Sequence, residues 1–205
     1  MKKKSFLALL LVSLLLVSCQ TRNKVGEWVS VFDGKTLNGW KKTAENPESF
    51  SVEDGTIKCA GPRAHLFYEG DFKNFEFETE VKTSDHSNSG IFIHTQYQSK
   101  SWPKKGYEIQ VNNSYRGPAE HPELRKTGSL YNIRNVYFPV AKDNEWFKIR
   151  IKVVENRIGI FVNDVKVNEY IEPEDPWRAR GNEGVRLDRG TFALQAHDAK
   201  STTWY

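Results

Sequence analysis

Cysteine is scarce in this sequence: its 205 residues include only two, at positions 19 and 59. Cys19 ends a segment typical of secretory signals, so Cys59 has no partner for an intramolecular disulfide. Stability must therefore come from the hydrophobic core. Because no cluster of cysteine or histidine surrounds Cys59 in the sequence, we expect it to be a small buried residue without a catalytic role.

Several enzyme motifs are also missing. The sequence has no G-x-S-x-G nucleophile motif, no P-loop, no dinucleotide-binding glycine fingerprint and no H-E-x-x-H zinc motif. Acidic residues are numerous, but no spacing singles out two of them as a glycosidase pair. The formal charge of +4 comes from scattered lysine and arginine without a nucleic-acid-binding motif, so we expect no nucleic-acid partner.

The N-terminal segment MKKKSFLALLLVSLLLVSC has three lysines, a short apolar run and small residues before Cys19. This order is typical of a secretory signal, and the apolar run is too short for a membrane-spanning helix. The last four residues resemble a bacterial lipobox, so residues 1–19 predict a lipoprotein signal peptide with Cys19 lipidated. The alternative is an ordinary cleaved signal peptide that happens to contain a cysteine.

The rest of the chain is interpreted as a tether, residues 20–27, followed by one domain, residues 28–205, without internal repeats or a dividing linker. The predicted lipid anchor would be the only contact with a membrane. We expect a cell-envelope lipoprotein of a Gram-negative-type bacterium. No acidic residue closely follows Cys19, which favours the periplasmic side over the cell surface.

Short runs of alternating apolar and polar residues dominate this domain. Such a period of two is typical of strands with one buried face. Turn signals such as Asp54-Gly55 and Asn163-Asp164 separate the runs, and no convincing helix lies between them. At least eight such strands predict an all-β sandwich or jelly roll. The predicted strands lie within residues 49–61, 74–83, 89–98, 106–113, 146–170 and 191–198.

Three of these runs, YEIQV, FIHTQ and FALQAHD, carry histidine, glutamine and glutamate opposite their apolar face. If the three strands are neighbours, these side chains form one polar patch. The patch would suit sugar chemistry, because carboxylates and amides bind hydroxyl groups and imidazoles transfer protons. One alternative is that the patch binds a divalent metal, although its residues lack the compact spacing of a metal motif. The other is that this face of the sheet is simply exposed to solvent. The side chains concerned are Glu108, Gln110, His94, Gln195 and His197.

The order of several segments resembles the 3-keto-disaccharide hydrolase domain family, long known only as a domain of unknown function. The resemblance covers nearly all of the domain, from about Trp28 to the end. No single motif is decisive, but their common order makes chance similarity improbable. The segments are VFDGKTLNGWK (31–41), NSGIFIH (88–94), GYEIQVNN (106–113), TGSLYNI (127–133), NEWFKIRIKV (144–153), FVNDVKV (161–167) and LQAHD (194–198).

The resemblance implies a concanavalin-like jelly roll of two antiparallel sheets with a concave face. It also implies a substrate, a disaccharide or glycoside oxidised to a ketone at C3 of one sugar. The ketone acidifies the hydrogen on C2, so a base can remove it and the group on C1 can leave by elimination. Water then adds to the double bond. Such chemistry needs a base, an acid for the leaving oxygen and a group that polarises the ketone.

By resemblance, Glu108 and His197 are the candidate proton-transfer pair, and they are also the ligands if a divalent metal is present. Tyr131 is a candidate acid. Gln110 and Gln195 are expected to bind sugar hydroxyls. No cofactor is implied beyond that optional metal ion.

Three further residues are candidates for substrate contact. Many relatives have arginine at the position of His94, so this residue is expected to contact substrate rather than to perform chemistry. Trp102 and Trp177 lie in loops and are candidate stacking platforms for sugar rings, with anchoring of the loops in the core as the alternative.

Two departures from the family pattern affect these expectations. Asn113 stands where relatives often have an acid, which weakens any role that needs a third carboxylate. The sequence ends at STTWY, where relatives continue into a last strand, so we expect a shortened chain or a missing closing strand. Besides a hydrolase, two other interpretations remain, namely a carbohydrate-binding lipoprotein without catalysis and an assembly lipoprotein with a closed cleft.

Overall fold

A computed structural model describes residues 26–205, and Val31–Tyr205 form one compact unit. The predicted signal peptide, Cys19 and most of the tether lie outside the described residues. Within residues 26–205 no helix is long and apolar enough to cross a membrane. The strands are β1 (Trp40–Lys42), β2 (Phe50–Glu53), β3 (Thr56–Ala60), β4 (Ala64–Tyr68), β5 (Phe75–Thr83), β6 (Ser89–Thr95), β7 (Tyr107–Val111), β8 (Phe147–Val154), β9 (Arg157–Val162), β10 (Val165–Ile171), β11 (Thr191–Ala196) and β12 (Thr202–Trp204).

The strands form two antiparallel sheets. One has five strands in the order β1-β4-β11-β6-β7, and the other has seven in the order β10-β9-β8-β5-β12-β3-β2. The only helical element among the described residues is a 3₁₀ turn at Pro47–Ser49. The prediction of an all-β sandwich of two antiparallel sheets is therefore confirmed.

Two tight hairpins follow directly from their turn residues. Asp54 and Gly55 have φ of 48° and 77°, and Asn163 and Asp164 have φ of 48° and 65°. Two successive residues in the left-handed region make a two-residue turn whose twist matches that of the flanking strands. Asparagine, aspartate and glycine tolerate this conformation best, which explains their use here.

The core lies between the sheets, and strand alternation decides which side chains enter it. In β8, Phe147, Ile149, Ile151 and Val153 are buried, while the residues between them face outwards. Burial of each such side chain contributes about 1.5–3 kcal/mol to stability. Cys59 is buried as a free thiol, as predicted.

The segment STTWY itself forms the last strand of the described chain, and the expectation of a shortened chain or a missing strand beyond it stays a prediction. Thr202–Trp204 form β12, which pairs with β3 on one side and with β5 on the other. Tyr205 then exchanges two backbone hydrogen bonds with Ile57, at 2.8 and 2.9 Å.

Candidate functional site

The outer face of the five-stranded sheet carries the candidate site. Strand β6 lies between β11 and β7, so the strands that bear Gln195 and Glu108 are separated by one strand. Glu108 is opposite Phe92 and Gln110 is opposite Gly90 in the register of β6 with β7. The predicted polar patch depended on these strands being neighbours, and they are.

A cavity of about 640 Å³ opens above this face. Its volume is in the usual range for a small-ligand site. The strands supply the floor, and three long loops supply the walls. Every predicted site residue except His94 lines it, namely Glu108, Tyr131, His197, Gln110, Gln195, Trp102 and Trp177.

Glu108 is the carboxyl group best placed for proton transfer. Burial raises its pKa from the ordinary 4.5 to about 7, and a hydrogen bond from Gln195 Nε2 to Glu108 Oε1, at 2.8 Å, opposes this rise. A carboxyl group with a pKa near neutrality can both accept and donate a proton at physiological pH.

Glycine at position 90 makes this arrangement fit. A Cβ atom at Gly90 would overlap Glu108 Oε1, and the Glu108 side chain occupies the space that the glycine leaves. Through this gap Glu108 reaches across β6 to Gln195. This glycine is part of the NSGIFIH segment. Because it has no side chain, it leaves room for the carboxylate of Glu108 on the next strand.

The two glutamine side chains present unpartnered oxygens. Gln110 Nε2 donates to Asn88 Oδ1, and Gln195 Nε2 donates to Glu108. Within the described part of the chain, Oε1 of Gln110 and Oε1 of Gln195 are buried and have no hydrogen-bond partner. Each can therefore accept a hydrogen bond from a ligand hydroxyl.

Tyr131 is tied to Glu108 and to an ion pair. Its backbone N–H donates to the carbonyl oxygen of Glu108 at 2.9 Å. Its hydroxyl accepts a hydrogen bond from Arg125 Nη1 at 3.1 Å, and the guanidinium of Arg125 lies 4.3 Å from the centre of its ring. Arg125 is also paired with Glu123 at 2.5 Å. Burial raises the pKa of Tyr131, and the charge of Arg125 opposes the rise.

His197 forms a pair with the next residue. Its Nδ1 lies 2.7 Å from Asp198 Oδ2. Burial of Asp198 disfavours its ionised form, but hydrogen bonds from His197, Lys200 and Ser201 lower its pKa below the ordinary value. With Asp198 ionised, Nδ1 of His197 carries a hydrogen and Nε2 is left for proton exchange with a ligand.

The two loop tryptophans differ in exposure. Trp177 is 83% exposed at the mouth of the cavity, so the alternative in which it anchors its loop in the core is wrong. Trp102 is 39% exposed and packs against His197, with ring centres 5.5 Å apart.

His94 does not reach the cavity, contrary to the prediction. Its φ is 51°, and the pairing of β11 with β6 shifts register beside it, between Thr191 and Ala193. This irregularity breaks the alternation of β6, so the ring packs against Phe75 instead. Its Nε2 hydrogen-bonds to Lys73 O at 2.8 Å, which is a structural role.

Asn113, which stands where relatives often have an acidic residue, also has a structural role. Its Oδ1 accepts a hydrogen bond from Thr127 at 2.7 Å, and its Nδ2 donates to Thr83 at 3.0 Å. The side chain is buried and does not line the cavity.

A metal was predicted only conditionally, with Glu108 and His197 as ligands. Within residues 26–205 no group of three or more His, Cys, Asp or Glu side chains is arranged to hold a metal ion. Two donors are fewer than the three or four protein ligands typical of zinc. Gln195 is bonded to Glu108 Oε1 and Asp198 to His197 Nδ1, so Glu108 Oε2 and His197 Nε2 are the donor atoms that remain for an ion.

Sequence reasoning missed several residues of the site. Asn88, Glu123 and Arg178 line the cavity, and Arg125 donates a hydrogen bond to Tyr131, which also lines it. Arg178 hydrogen-bonds to Tyr107 and anchors the loop that carries Trp177. Only Asn88, the first residue of the NSGIFIH segment, lies in a motif that could have identified it; the others lie in loops without periodicity.

The sequence of this chain places it in a known family. A sequence profile for the 3-keto-alpha-glucoside-1,2-lyase-like domain matches residues 27–205. The chain belongs to this family. The resemblance inferred from the ordered segments is thereby confirmed.

Among the proteins that are similar to the chain are one curated relative and two solved structures. A Bacteroides thetaiotaomicron protein named 3-keto-disaccharide hydrolase is 32% identical over 169 residues, which are 70% of this chain but only 58% of the relative. A crystallised Parabacteroides distasonis protein, provisionally named a glycosyl hydrolase, has a TM-score of 0.73 at 22% identity, over 85% of this chain and 88% of its own. The carbohydrate binding module CBM66 of Bacillus subtilis has a TM-score of 0.56 at 12% identity, over 81% and 91%. At these identities the two structures support the fold alone.

Proposed function

We propose that this protein cleaves the glycosidic bond of 3-keto-glycosides, by removal of the C2 proton, elimination and hydration. The observation that carries the proposal is the Glu108 carboxyl group, which lies in the cavity with a pKa of about 7. Membership of the 3-keto-alpha-glucoside-1,2-lyase-like family and the name of the curated relative support the same chemistry.

Glu108 is the base in this proposal. The C3 ketone acidifies the C2 hydrogen, and Glu108 takes it as a proton while the C–H electron pair forms the C1=C2 double bond. The bond between C1 and the leaving oxygen then breaks. A positioned base of suitable pKa accelerates such a step by about 10²- to 10⁴-fold.

Tyr131 and His197 complete the set of proton donors. The Tyr131 hydroxyl donates to the ketone oxygen as negative charge develops there, and Arg125 strengthens this donor by bonding to the same phenol oxygen. The imidazolium of His197 gives its Nε2 proton to the leaving oxygen.

Hydration returns both groups to their starting states. His197 takes a proton from water as the hydroxide adds to C1, and Glu108 returns its proton to C2. The sum is hydrolysis of one glycosidic bond, with no net change in the enzyme. The unpartnered oxygens of Gln110 and Gln195 accept hydrogen bonds from sugar hydroxyls, and the exposed ring of Trp177 provides a surface for stacking.

A chromatographic assay tests this proposal. Purified protein from Thr21 to Tyr205 is incubated with 3-keto-trehalose and 3-keto-lactose, and in parallel with the unoxidised parents. Cleavage of the keto forms alone is the expected result, because only they have an acidified C2 hydrogen. Cleavage of the parents would contradict elimination.

Two further measurements test for sugar binding without catalysis and for a metal requirement. Binding of sugars without cleavage by folded protein would overturn the proposal in favour of a carbohydrate-binding protein. Repeating the assay with EDTA tests for a metal ion, since loss of cleavage that is restored by added metal would show that the reaction needs one.

A further inference from the structure

His65 is a buried histidine that neither the sequence motifs nor the proposed mechanism uses. It lies in β4 and its side chain is 0% exposed. Within the described residues, neither of its ring nitrogens has a hydrogen-bond partner. Most buried polar side chains in proteins have at least one partner, and an unpartnered one costs about 1–3 kcal/mol.

The position of His65 connects it to the site. It stands directly opposite Gln195 in the register of β11 with β4. Side chains opposite each other on antiparallel strands lie on the same face, with Cβ atoms about 4.5–5.5 Å apart. Gln195 Oε1 is also unpartnered. Two neighbouring groups thus lack partners and do not bond to each other.

Aromatic rings cover His65 on the cavity side. Its ring centre is 5.3 Å from that of Phe92 and 5.6 Å from that of Trp102, and both of these residues line the cavity. The guanidinium of Arg63 lies 5.2 Å from the centre of the Trp102 ring. Trp102 is partly exposed and lies in a loop, so it is the side chain that must turn for a ligand to reach His65.

The protonation state of His65 defines what it can bind. Burial lowers its pKa to about 3, and the nearby charge of Glu45 only partly opposes this effect. The ring is therefore neutral at physiological pH, with one nitrogen that donates and one that accepts. Gln195 Oε1 can only accept.

We propose that His65 is a further substrate-binding residue, which together with Gln195 binds a hydroxyl group of the sugar beneath Trp102. A hydroxyl is the group that fits both partners, since it accepts from the imidazole N–H and donates to the amide oxygen. A carboxylate has no hydrogen to donate to Gln195, so it cannot satisfy both residues as a hydroxyl does. The subsite therefore selects hydroxyl-bearing sugars over carboxylate-bearing ones, an inference that rests on the proposed function for the class of ligand.

The test compares His65→Phe, which keeps an aromatic ring but removes both nitrogens, with the wild type. Isothermal calorimetry measures Kd for trehalose, lactose and their 3-keto forms, the latter in a Glu108→Gln background that prevents turnover. We expect about tenfold weaker binding in His65→Phe, the equivalent of one lost hydrogen bond to a ligand. His65→Gln, which keeps a donor and an acceptor, should recover part of the affinity.

Thr203→Val is the matched control, because it also removes a buried, unpartnered polar atom but lies in β12 of the other sheet. It should bind the sugars like the wild type. Unchanged Kd in His65→Phe, or an equal loss in Thr203→Val, would overturn the inference and leave His65 as a core residue.

Turnover of the keto sugars by the wild type, measured in parallel, keeps the two proposals apart. If the wild type cleaves keto sugars and His65→Phe leaves Kd unchanged, the His65 subsite alone is overturned. Binding that depends on His65 without turnover would overturn the hydrolase proposal alone. Absence of both turnover and sugar binding would overturn both.

Discussion

The carboxyl group of Glu108 lies over Gly90, on the neighbouring strand, in space that any larger residue would fill. We predict that Gly90→Ala displaces Glu108 and breaks its hydrogen bond with Gln195. Activity should fall by at least about tenfold, since a misplaced catalytic group commonly costs that much or more. Steady-state assays with a 3-keto-disaccharide measure this loss.

Gly159→Ala is the control for this variant. Gly159 lies in β9 of the other sheet, and an added Cβ would lie 3.2 Å from the ring of Phe161. It should change stability slightly and activity not at all. Equal effects of the two substitutions on activity would contradict a special role for Gly90.

A pH profile tests Glu108 directly. Because the base must be ionised and its pKa is raised to about 7, the acidic limb of the kcat/KM profile should rise about tenfold per pH unit below 7. Glu108→Gln should lower kcat by at least about 10³-fold while the protein stays folded. Glu80→Gln, at an exposed position of β5, should leave activity unchanged.

Raising the pH should lower the stability that Glu108 contributes, whereas it raises the activity that Glu108 provides. The folded state raises the pKa from 4.5, so it favours the protonated carboxyl. The stability that this proton supplies is present below pH 4.5 and is lost as the pH rises through 7. Thermal unfolding at pH 8.5 should therefore give a higher Tm for Glu108→Gln than for the wild type. A lower Tm would identify Glu108 as a structural residue.

Arg125 should act on catalysis through Tyr131. Arg125→Lys keeps a charge but cannot stack on the ring while bonding both Glu123 and the Tyr131 hydroxyl. We expect kcat to fall by about tenfold with little change in KM, corresponding to one weakened transition-state hydrogen bond.

Arg150→Lys provides a matched control for this substitution. Arg150 also lies over an aromatic ring, 4.0 Å from the centre of Phe161, and is paired with Glu76 at 3.5 Å, but it belongs to the other sheet. It should leave kcat unchanged. If Arg125→Lys raised KM alone, Arg125 would serve ground-state binding instead.

The strands were predictable because a half-buried strand shows its burial as alternation. NFEFETEVKT and WFKIRIKVV alternate cleanly, and β5 and β8 match them. Strand β4, AHLFY, was missed because its residues other than His65 are apolar or aromatic, so the sequence shows no apolar–polar alternation there. His65 was missed with it.

The site was predictable only where it lies on regular strands. Glu108, Gln110 and Gln195 share a face because the period of two holds in β7 and β11. Arg125 contacts Tyr131 through a loop whose path depends on tertiary packing, and sequence periodicity carries no information on such contacts.

The lipid anchor remains a proposal that rests on the sequence of residues 1–19. If Cys19 is lipidated, Cys19→Ala should release the protein from the membrane fraction, because the thiol is the attachment point. Fractionation of cells followed by immunoblotting measures this. Cys59→Ala should stay in the membrane fraction, and continued membrane retention of Cys19→Ala would contradict the proposal.

His94 should contribute to stability and not to catalysis. Its Nε2 donates to Lys73 O, and its Nδ1 accepts from the backbone N–H of Asp188 at 3.2 Å, which together fix a neutral tautomer. His94→Phe removes both bonds and should lower the free energy of unfolding by about 1–3 kcal/mol. Chemical denaturation measures this loss, while kcat/KM should stay within about twofold. His121→Phe, in an exposed loop, should have little effect on either quantity.

The pH dependence of unfolding distinguishes His94 from a simple packing residue. Burial lowers its pKa below the ordinary 6.5, so the unfolded chain takes up a proton that the folded chain resists. Stability that depends on the neutral ring is therefore present above pH 6.5 and is lost as the pH falls towards the lowered pKa. The wild type should lose stability between pH 7 and 5 more steeply than His94→Phe does. Equal slopes of stability against pH would mean that His94 is solvated in the folded protein and that the irregularity of β6 does not bury its ring.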